Sequence, residues 1–389
     1  MHVLIFPSWY PANEHDINGV FFREQAVALK KQGLTIGVIS ISLLSLRKIK
    51  NIICFQNTKV NVTEETGIPT YRKAYRNWFY KIPVLGKIWY LLTAKRLFHR
   101  YVREQGYPDI IHVHSMLDAG IAAMYIKSKY GIPYVVTEHS TSFARNILSQ
   151  SDLKLIQAIA VKSAMNIAVS APFASLLHTK TNQDWSVVPN TVNSQFFQPI
   201  TKPVDQSIFK FINVCFLSEK KKVDILLMAF SSKFKGNPKI QLYIGGIGDQ
   251  LSKLKHLASD LGVDNQVIFL GALSRAQVME EVRNADVFVL SSEFETFGVV
   301  LIEALALGKP VISTKSGGPE DIVEKYNGLL VPTNDIEALG KAMQYMVKNY
   351  NTYNQQEIQQ RCHDKFSEAS VGNTLKKIYL QVLAKDGVT

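Results

Sequence analysis

The sequence predicts an α/β protein made of two doubly wound parallel-sheet domains that face each other across a cleft. Short apolar runs alternate with segments of helical period along almost all of the 389 residues. This alternation is typical of parallel sheets covered by helices on both faces. About twelve strands are indicated, which is too many for one compact sheet domain, and the pattern restarts after residue 200.

The strand candidates are short, nearly continuous apolar runs. In the first half they are residues 2–6, 34–39, 109–113, 133–137, 166–169 and 186–188. In the second half they are residues 209–217, 240–244, 266–269, 287–290, 310–313 and 328–331. Helical patterns lie between them, for example over 20–32, 117–130, 249–261, 275–284 and 298–307. Three further helices follow without an intervening strand, over 335–349, 354–366 and 368–384.

A change of composition marks the domain boundary. Residues 198–207, QPITKPVDQS, contain two prolines and several polar residues and show no periodicity, so they are the expected linker. The first domain is then 1–197 and the second 208–370. Residues 371–389 form a C-terminal helix that we expect to pack back on the first domain.

The composition is that of an ordinary globular protein. Hydrophobic residues make up 47% and charged residues 20%, which excludes a disordered chain, a collagen or a coiled coil. No apolar run approaches the roughly 20 residues of a membrane span, and the first residues lack the basic region and cleavage site of a signal peptide. The 3 cysteines are widely spaced and form no metal pattern. These features favour a soluble cytoplasmic protein.

Positive charge is concentrated in the first half of the chain. Residues 1–200 contain 22 Lys and Arg against 11 Asp and Glu, and residues 71–103 contain nine Lys and Arg, no acid and many aromatic residues. One interpretation is a peripheral docking surface for an anionic membrane. The alternative is a solvated basic helical pair whose aromatic residues belong to the core. Nucleic-acid binding has less support, because no known nucleic-acid module surrounds the cluster.

The strongest chemical signal is the segment 291–321, SSEFETFGVVLIEALALGKPVISTKSGGPED. Glu295 and Glu303 are separated by seven residues, and Gly298 stands at the turn from the strand at 287–290 into the next helix. A helix start offers unpaired N–H groups and the positive end of the helix dipole, which suit phosphate or sugar oxygens. Two carboxylates along such a ligand can each accept hydroxyl hydrogens.

This segment resembles the E-x7-E signature of glycosyltransferase family 4, and other segments match family motifs in the same order. These are FPSWYP with GVF at 6–11 and 19–21, TEH at 137–139, VPNTVN at 188–193, KKVDILL at 221–227 and IGGIG at 244–248. The resemblance covers most of the chain and is weakest over 41–105. It implies a GT-B fold of two Rossmann-like domains and a retaining transferase that uses a nucleotide sugar.

The resemblance also implies roles for individual residues. Glu303 would bind the ribose hydroxyls of the nucleotide and Glu295 hydroxyls of the donor sugar, while Lys221 would neutralise the leaving diphosphate. His139 would line the cleft beside the donor sugar, with His114 a weaker candidate for the cleft. Phe297, Gly298 and Val299 would offer backbone amides to the sugar or diphosphate. Gly19 would let the loop of the first domain approach the diphosphate, and Gly246, in the IGGIG turn, is a further donor-binding position. The catalytic set is therefore expected to be His139, Lys221 and Glu295.

The sequence departs from the family pattern at one place. Phe216 stands where the family has an Arg, five residues before Lys221, so one cation on the diphosphate is missing. Lys220 or Lys222 are the candidates to replace it, and Lys222 itself replaces the usual glycine. The chain contains no Asp-x-Asp motif, so we expect transfer without a metal or other cofactor, supported by cations and helix-start dipoles.

The predicted function is retaining transfer of a hexose from a nucleotide-diphosphate sugar to a glycan or lipid-linked acceptor in surface polysaccharide biosynthesis. The expected location is the cytoplasm, at the inner face of the membrane, with peripheral contact through 71–103. Two alternatives remain: a sugar-nucleotide-binding protein with impaired catalysis, favoured only by Phe216, and a nucleotide-sugar epimerase of the same fold. The sequence does not identify the sugar, the base or the acceptor.

Overall fold

The computed structural model describes residues 1–13, 16, 18–44, 60–76, 82–200, 207–385 and 387. The chain forms two compact units. Unit 1 comprises Met1–Val169, Ala174–Thr191 and Val371–Thr389, and unit 2 comprises Ser170–Phe173 and Val192–Ser370. The units therefore divide between Thr191 and Val192, ahead of the predicted linker 198–207, of which 201–206 lie outside the described residues.

Unit 1 contains an eight-stranded sheet with the strand order β3-β4-β2-β1-β5-β6-β7-β8. All neighbours are parallel except β3 and β4, which pair antiparallel at one edge. The strands are β1 (His2–Pro7), β2 (Thr35–Leu44), β3 (Asn61–Glu65), β4 (Ile68–Arg76), β5 (Ile110–His114), β6 (Tyr134–Glu138), β7 (Met165–Ala168) and β8 (Ser186–Val187).

Helices cover the sheet of unit 1. They are α1 (Val20–Lys31), α2 (Pro83–Gln105), α3 (Ala119–Tyr130), α4 (Gln150–Lys162) and α5 (Ala171–Thr181), whose first residues are grouped with unit 2. The central strands are apolar along their length because both of their faces are buried; β5 and β6 are buried at every position. At the start of α4, Ser149 accepts a hydrogen bond from the Asp152 N–H, which satisfies one of the unpaired donors there.

Unit 2 contains a six-stranded, fully parallel sheet with the order β11-β10-β9-β12-β13-β14. The strands are β9 (Phe209–Val214), β10 (Ile240–Gly245), β11 (Val267–Gly271), β12 (Val287–Leu290), β13 (Val311–Thr314) and β14 (Gly328–Val331). The helices of unit 2 are α6 (Val223–Phe234), α7 (Leu251–Asp260), α8 (Arg275–Arg283), α9 (Val299–Ala306), α10 (Ile336–Asn349) and α11 (Gln355–Phe366). The last helix, α12 (Glu368–Lys385), begins in unit 2 and belongs to unit 1 from Val371 onward. This confirms the predicted α/β class with two doubly wound domains.

The last helix, α12, contributes its apolar side chains to the core of unit 1. Val371, Leu375 and Tyr379 are buried in the same cluster as residues of β1 and α1. Lys376 donates from Nζ to the backbone carbonyl of Gln32 at 2.8 Å, just beyond the end of α1. The chain therefore returns to unit 1 after completing unit 2.

The alternative that 71–103 is a helical pair does not match the described residues of this region. This region consists of the end of β4, residues 77–81 outside the described part, and the single long helix α2. The edge hairpin β3–β4 is also absent from the sequence prediction, because its strands mix polar and apolar residues. A half-exposed edge hairpin lacks the continuous apolar run that marks a central strand.

Candidate functional site

The sheet of unit 2 opens at the point where its strand order reverses. From β9 the chain moves outward to β10 and β11, and then returns to the other side of β9 as β12. The ladder between β9 and β12 joins only Phe211 with Val287 and Ile212 with Phe288. Beyond it the Asn213 side-chain amide donates to the Val289 carbonyl at 2.7 Å. Ligands of open α/β sheets bind at this reversal, outside the carboxyl ends of the strands.

Lys221 and Glu295 meet at this reversal. Lys221 follows β9 and Glu295 follows β12, and the Lys221 ammonium lies 2.5 Å from Glu295 Oε1. The Ser292 hydroxyl donates to the same carboxylate oxygen at 2.7 Å. The loop carrying Lys221 is fixed in turn, since the Ser291 hydroxyl donates to the Lys221 carbonyl at 2.9 Å. Two of the residues predicted to be catalytic are thus in direct contact.

The charge on Lys221 is maintained despite its burial. Burial by itself lowers the pKa of the ammonium, but the adjacent Glu295 carboxylate opposes this effect, and the net pKa is raised above its ordinary value. Lys221 is therefore a cation at any physiological pH. A partly buried ammonium beside a sheet opening is suited to an anionic ligand.

The segment from Phe297 to Val299 begins helix α9. Gly298 is the N-cap residue and has φ 105°, a left-handed conformation that glycine adopts at the lowest cost. Phe297 is buried and packs edge-to-face on Phe366 at 5.9 Å. The backbone of Glu295 pairs with residues 316–318, since Glu295 N–H donates to Ser316 and Gly318 N–H donates to Glu295. Helix α9, with its unpaired first N–H groups and the positive end of the helix dipole, begins at Val299, four positions after Glu295.

Glu303 lies on α9 and is held by a residue that the sequence analysis did not identify. Its carboxylate is buried and lies 2.5 Å from the Arg275 guanidinium. Arg275 is the first residue of α8 and also stacks over the Phe196 ring at 4.9 Å. The local capping box of Ser274 and Gln277 signals where α8 begins, but no local signal connects Arg275 with Glu303.

The glycine-rich turn after β10 is required by the fold of unit 2 itself. Gly246 has φ 127°, and a Cβ at this position would lie 1.8 Å from the Cys215 carbonyl oxygen. The space that a side chain would need is thus filled by backbone of the neighbouring β9 loop. Phe216, at the position of the missing Arg, is 58% exposed in that same loop.

In unit 1, Gly19 is the N-cap of α1, with φ 77°. A Cβ there would approach the Trp9 ring to 2.9 Å. Gly19 therefore allows close packing of the loop after β1 against Trp9.

His139 belongs to a buried cluster of three histidines in unit 1. His114 Nδ1 lies 3.1 Å from His139 Nε2, and the rings of His112 and His114 stack with centroids 4.1 Å apart. His112 bonds through its two ring nitrogens to the Tyr379 hydroxyl of α12, at 2.6 Å, and to the Thr137 hydroxyl, at 2.7 Å. The predicted TEH segment thus contributes both a supporting hydroxyl and a member of the cluster.

Burial keeps these histidines neutral. It lowers the pKa of His112 to about 3. Burial and the neighbouring histidines lower the pKa of His114 and His139 well below the ordinary value. A neutral imidazole offers one donor and one acceptor, which suits contact with hydroxyl groups.

Glu138 fixes the loop that carries His139. Its carboxylate accepts from the N–H groups of His139 at 2.9 Å and Ser140 at 2.8 Å, and from the N–H of Met116 at 2.8 Å. Burial raises the pKa of Glu138, and these backbone donors oppose the shift. The loops after β5 and β6 are thereby joined beside a small cavity lined by Ser8, Trp9, Ser115, Leu117, Phe143 and Leu148.

Within the part of the chain that the structure describes, no group of three or more His, Cys, Asp or Glu side chains is arranged to hold a metal ion. Cys215 and Cys362 are free thiols, and Cys54 lies outside the described residues.

None of the described helices combines the length and apolar character needed to cross a membrane.

Comparison with protein families gives two matches that follow one another along the chain. The model for glycosyltransferase family 4 matches residues 20–196, and the model for glycosyl transferases group 1 matches residues 194–362. Together they include every site residue predicted from the sequence except Gly19.

Individual proteins agree with these matches. The putative teichuronic acid biosynthesis glycosyltransferase TuaC of Bacillus subtilis is 28% identical over 364 residues, which is 88% of each protein. Sucrose-phosphate synthase from Thermosynechococcus elongatus has the same fold, with a TM-score of 0.81 at 19% identity over 99% of this chain and 100% of that one. Anabaena HepE in complex with UDP gives a TM-score of 0.74 at 18% identity over 98% and 100% of the two chains. The chain therefore belongs to glycosyltransferase family 4 and has the GT-B fold.

Proposed function

We propose that the protein is a retaining hexosyltransferase that moves a sugar from a nucleotide-diphosphate sugar to a glycan or lipid-linked acceptor in surface polysaccharide biosynthesis. The observation that carries this proposal is the contact of the Lys221 ammonium with Glu295 at the strand reversal of unit 2, beside the start of α9. The similarity to TuaC, named for teichuronic acid biosynthesis, favours a polysaccharide product. The structure of HepE with UDP favours a nucleotide sugar as donor.

The ion pair of Lys221 and Glu295 suits exchange with such a donor. Without ligand, each charge compensates the other, so neither is buried alone. On binding, the ammonium pairs with the diphosphate and the carboxylate accepts hydroxyl hydrogens of the donor sugar. Gly298, Val299 and Phe297 contribute backbone groups of the helix start to the same ligand.

Glu303 binds the ribose hydroxyls in this proposal, with Arg275 holding its carboxylate in place. Gly246 keeps the turn after β10 close to the β9 loop. In unit 1, Gly19 allows the start of α1 to pack closely on Trp9, in the loop after β1. His139 contacts hydroxyls of the donor sugar as a neutral imidazole.

The reaction breaks the bond between the anomeric carbon and the diphosphate oxygen, and the bonding electrons leave with the diphosphate. The acceptor hydroxyl oxygen bonds to the same carbon on the same face, so the configuration is retained. Its proton passes to the departing phosphate oxygen. Lys221 and the α9 helix start stabilise the charge that develops on the diphosphate, and no metal is required. Positioning of both substrates supplies much of the rate.

We also place the enzyme in the cytoplasm, at the inner face of the membrane. Free, buried thiols such as Cys362 are typical of proteins from reducing compartments. This assignment is tested by cell fractionation with an antibody to the native protein.

The test of the function starts with a thermal-shift screen of UDP-, GDP- and ADP-sugars. A donor that binds raises the unfolding temperature by mass action, and Glu303→Gln weakens that shift. Nuclear magnetic resonance of the product formed from the selected donor should then show the same anomeric configuration as in the donor. The rate of sugar transfer should be the same with and without a metal chelator. An inverted anomer refutes retention, and loss of turnover in chelator refutes metal independence. Donor binding without transfer identifies an impaired transferase, and an epimerised donor identifies an epimerase.

A further inference from the structure

We propose that the solvent-facing side of helix α2 docks on an anionic lipid bilayer. The proposal goes beyond the proposed function, because it concerns the surface that the protein binds and not the bond that it makes. We name this side the docking face; it consists of Val84, Leu85, Ile88, Trp89, Leu92, Arg96, His99 and Arg103.

The first half of the docking face is apolar and exposed. Val84 is 66% exposed, Ile88 49%, Leu92 42% and Trp89 39%. Leu85, Ile88, Trp89 and Leu92 recur at intervals of three and four, so they lie on one side of the helix. A continuous exposed apolar stripe is unusual on a soluble protein and indicates a surface that becomes covered.

The second half of the same side is basic. Arg96, His99 and Arg103 continue the spacing of the apolar stripe, and all three are exposed. The docking face contains no Asp or Glu. Two nearby acids pair with cations of α2 outside this face: Glu104 of the same helix with Arg100, and Asp152 of α4 with Lys87. An apolar stripe next to exposed arginines matches the interface of a bilayer, where acyl chains adjoin anionic headgroups.

The structure also corrects the sequence interpretation of this region. Tyr71, Tyr90, Phe98 and Tyr101 are buried in unit 1 and do not face a membrane. Trp78, Phe79 and Tyr80 lie outside the described residues. Trp89 and its aliphatic neighbours are therefore the apolar residues available to a bilayer. The buried aromatic residues belong to the core, as the alternative interpretation expected.

A second copy of the chain is a less suitable occupant. Self-association through equivalent faces would bring only apolar and basic residues together, because the docking face carries no acid. An anionic bilayer supplies the opposite charge along with an apolar layer.

The docking face adjoins the loop that begins at His139. The ion pair between Lys87 and Asp152, at 3.0 Å, ties α2 to the first turn of α4. The intervening loop contains Ile147, which is 59% exposed, and Leu148, which lines the cavity next to Glu138. A lipid-linked acceptor held in the bilayer would therefore meet the loop that carries the proposed sugar-binding histidine.

The test is sedimentation of the full-length protein with phosphatidylcholine vesicles, with and without phosphatidylglycerol. The wild type should sediment only with the anionic vesicles, and less so as salt is raised. The double variant Ile88→Glu with Trp89→Glu should lose binding by about tenfold or more, and Arg96→Glu with Arg103→Glu by a similar factor. Leu380→Glu, at an exposed leucine of α12, and Lys239→Glu with Lys253→Glu, in unit 2, are the matched controls and should bind as the wild type does.

Circular dichroism verifies the fold of each variant, and turnover of donor with a soluble acceptor measures catalysis separately. Normal vesicle binding by the Ile88 and Trp89 variant overturns the proposal, as does a wild type that stays in the supernatant. If the wild type forms a dimer and does not bind vesicles, and the Ile88 and Trp89 variant is a monomer, the docking face binds a second copy of the chain. A wild-type protein that binds the anionic vesicles but transfers no sugar counts against the proposed function and leaves docking supported.

Discussion

At the scale of single residues, the histidine cluster shows how burial decides the chemistry of a side chain. His112 bonds to the neutral hydroxyl groups of Tyr379 and Thr137, and His114 bonds to His139. Burial is the largest influence on the pKa of all three rings and favours the neutral form. His139 is consequently suited to bind hydroxyls and unsuited to act as a cation.

This cluster predicts a loss of stability in mild acid. In the unfolded chain each histidine has a pKa of about 6.5, whereas in the fold the pKa of His112 is lowered to about 3. Below about pH 6.5 the unfolded state binds more protons, so the free energy of unfolding falls by up to about 1.4 kcal/mol per pH unit for each such histidine. Urea unfolding at about pH 7.5 and about pH 5.5 measures the change.

The matched variants for that experiment are His112→Asn, at the buried ring, and His363→Asn, at an exposed ring of α11. The first should reduce the pH dependence and the second should leave it unchanged. Equal unfolding midpoints of the wild type at the two pH values would contradict the burial argument.

We expect substitution of Lys221 to have a large effect on kcat. Lys221→Ala removes the cation nearest Glu295, and kcat should fall by about 10²–10³-fold, since one lost electrostatic stabiliser of a developing anion costs about that much. Lys221→Arg should retain part of the rate. Steady-state kinetics with the donor found in the screen measures both.

Lys253→Ala, an exposed lysine of α7, is the control and should be as active as the wild type. Thermal unfolding establishes that the Lys221 variants are folded. A folded Lys221→Ala enzyme with normal kcat would remove Lys221 from the proposed mechanism.

At the scale of elements, the turns between strands and helices decide where backbone segments can approach each other. Gly246 and Gly271 both have positive φ, but only Gly246 faces backbone: its Cβ would lie 1.8 Å from the Cys215 carbonyl, whereas nothing lies within 4 Å of a Cβ at Gly271. A substitution at Gly271 therefore meets only the strain of a positive φ, whereas one at Gly246 meets this strain and a steric clash with backbone.

We therefore expect Gly246→Ala to destabilise the protein more than Gly271→Ala. The strained backbone alone costs about 1–2 kcal/mol, which should be the whole effect at Gly271. Gly246→Ala should exceed this, because the β9 loop must shift, and donor affinity should fall with it. Denaturant unfolding and donor titration give both quantities; equal losses at the two positions would refute the packing argument.

The sequence predicted the central elements well and the edge elements poorly. β12 and α9 carry clear signals, an apolar run followed by a glycine turn and a mostly apolar helical segment, and they form within a residue of the predicted bounds. The β3–β4 hairpin and the long helix α2 gave no such pattern, because one is an edge hairpin and the other exposes apolar residues to solvent.

At the scale of the whole molecule, the C-terminal helix α12 packs into the core of unit 1, which is formed mainly by the first half of the chain. Leu375 is fully buried in the core of unit 1, while Leu380 of the same helix is 53% exposed. Leu375→Ala should lower the free energy of unfolding by about 2–5 kcal/mol, the usual cost of a large-to-small change in a core. Leu380→Ala should cost about 0.5 kcal/mol or less. Denaturant unfolding compares them, and equal effects would show that α12 does not support unit 1.

The sequence by itself determined the alternation of strands and helices, the two-domain organisation and the E-x7-E segment, because all of these are written in local periodicity or in short motifs. Only the tertiary structure decided which side chains contact each other in the candidate site and the histidine cluster. Lys221 meets Glu295 across 74 residues, Arg275 meets Glu303 across 28, and His112 meets Tyr379 across 267. Tertiary structure also decided which aromatic residues of the basic region are core and which side of α2 faces solvent. The physical reason is that a contact between distant segments leaves no periodic trace in either segment, and it arises only when the sheet brings the ends of its strands together.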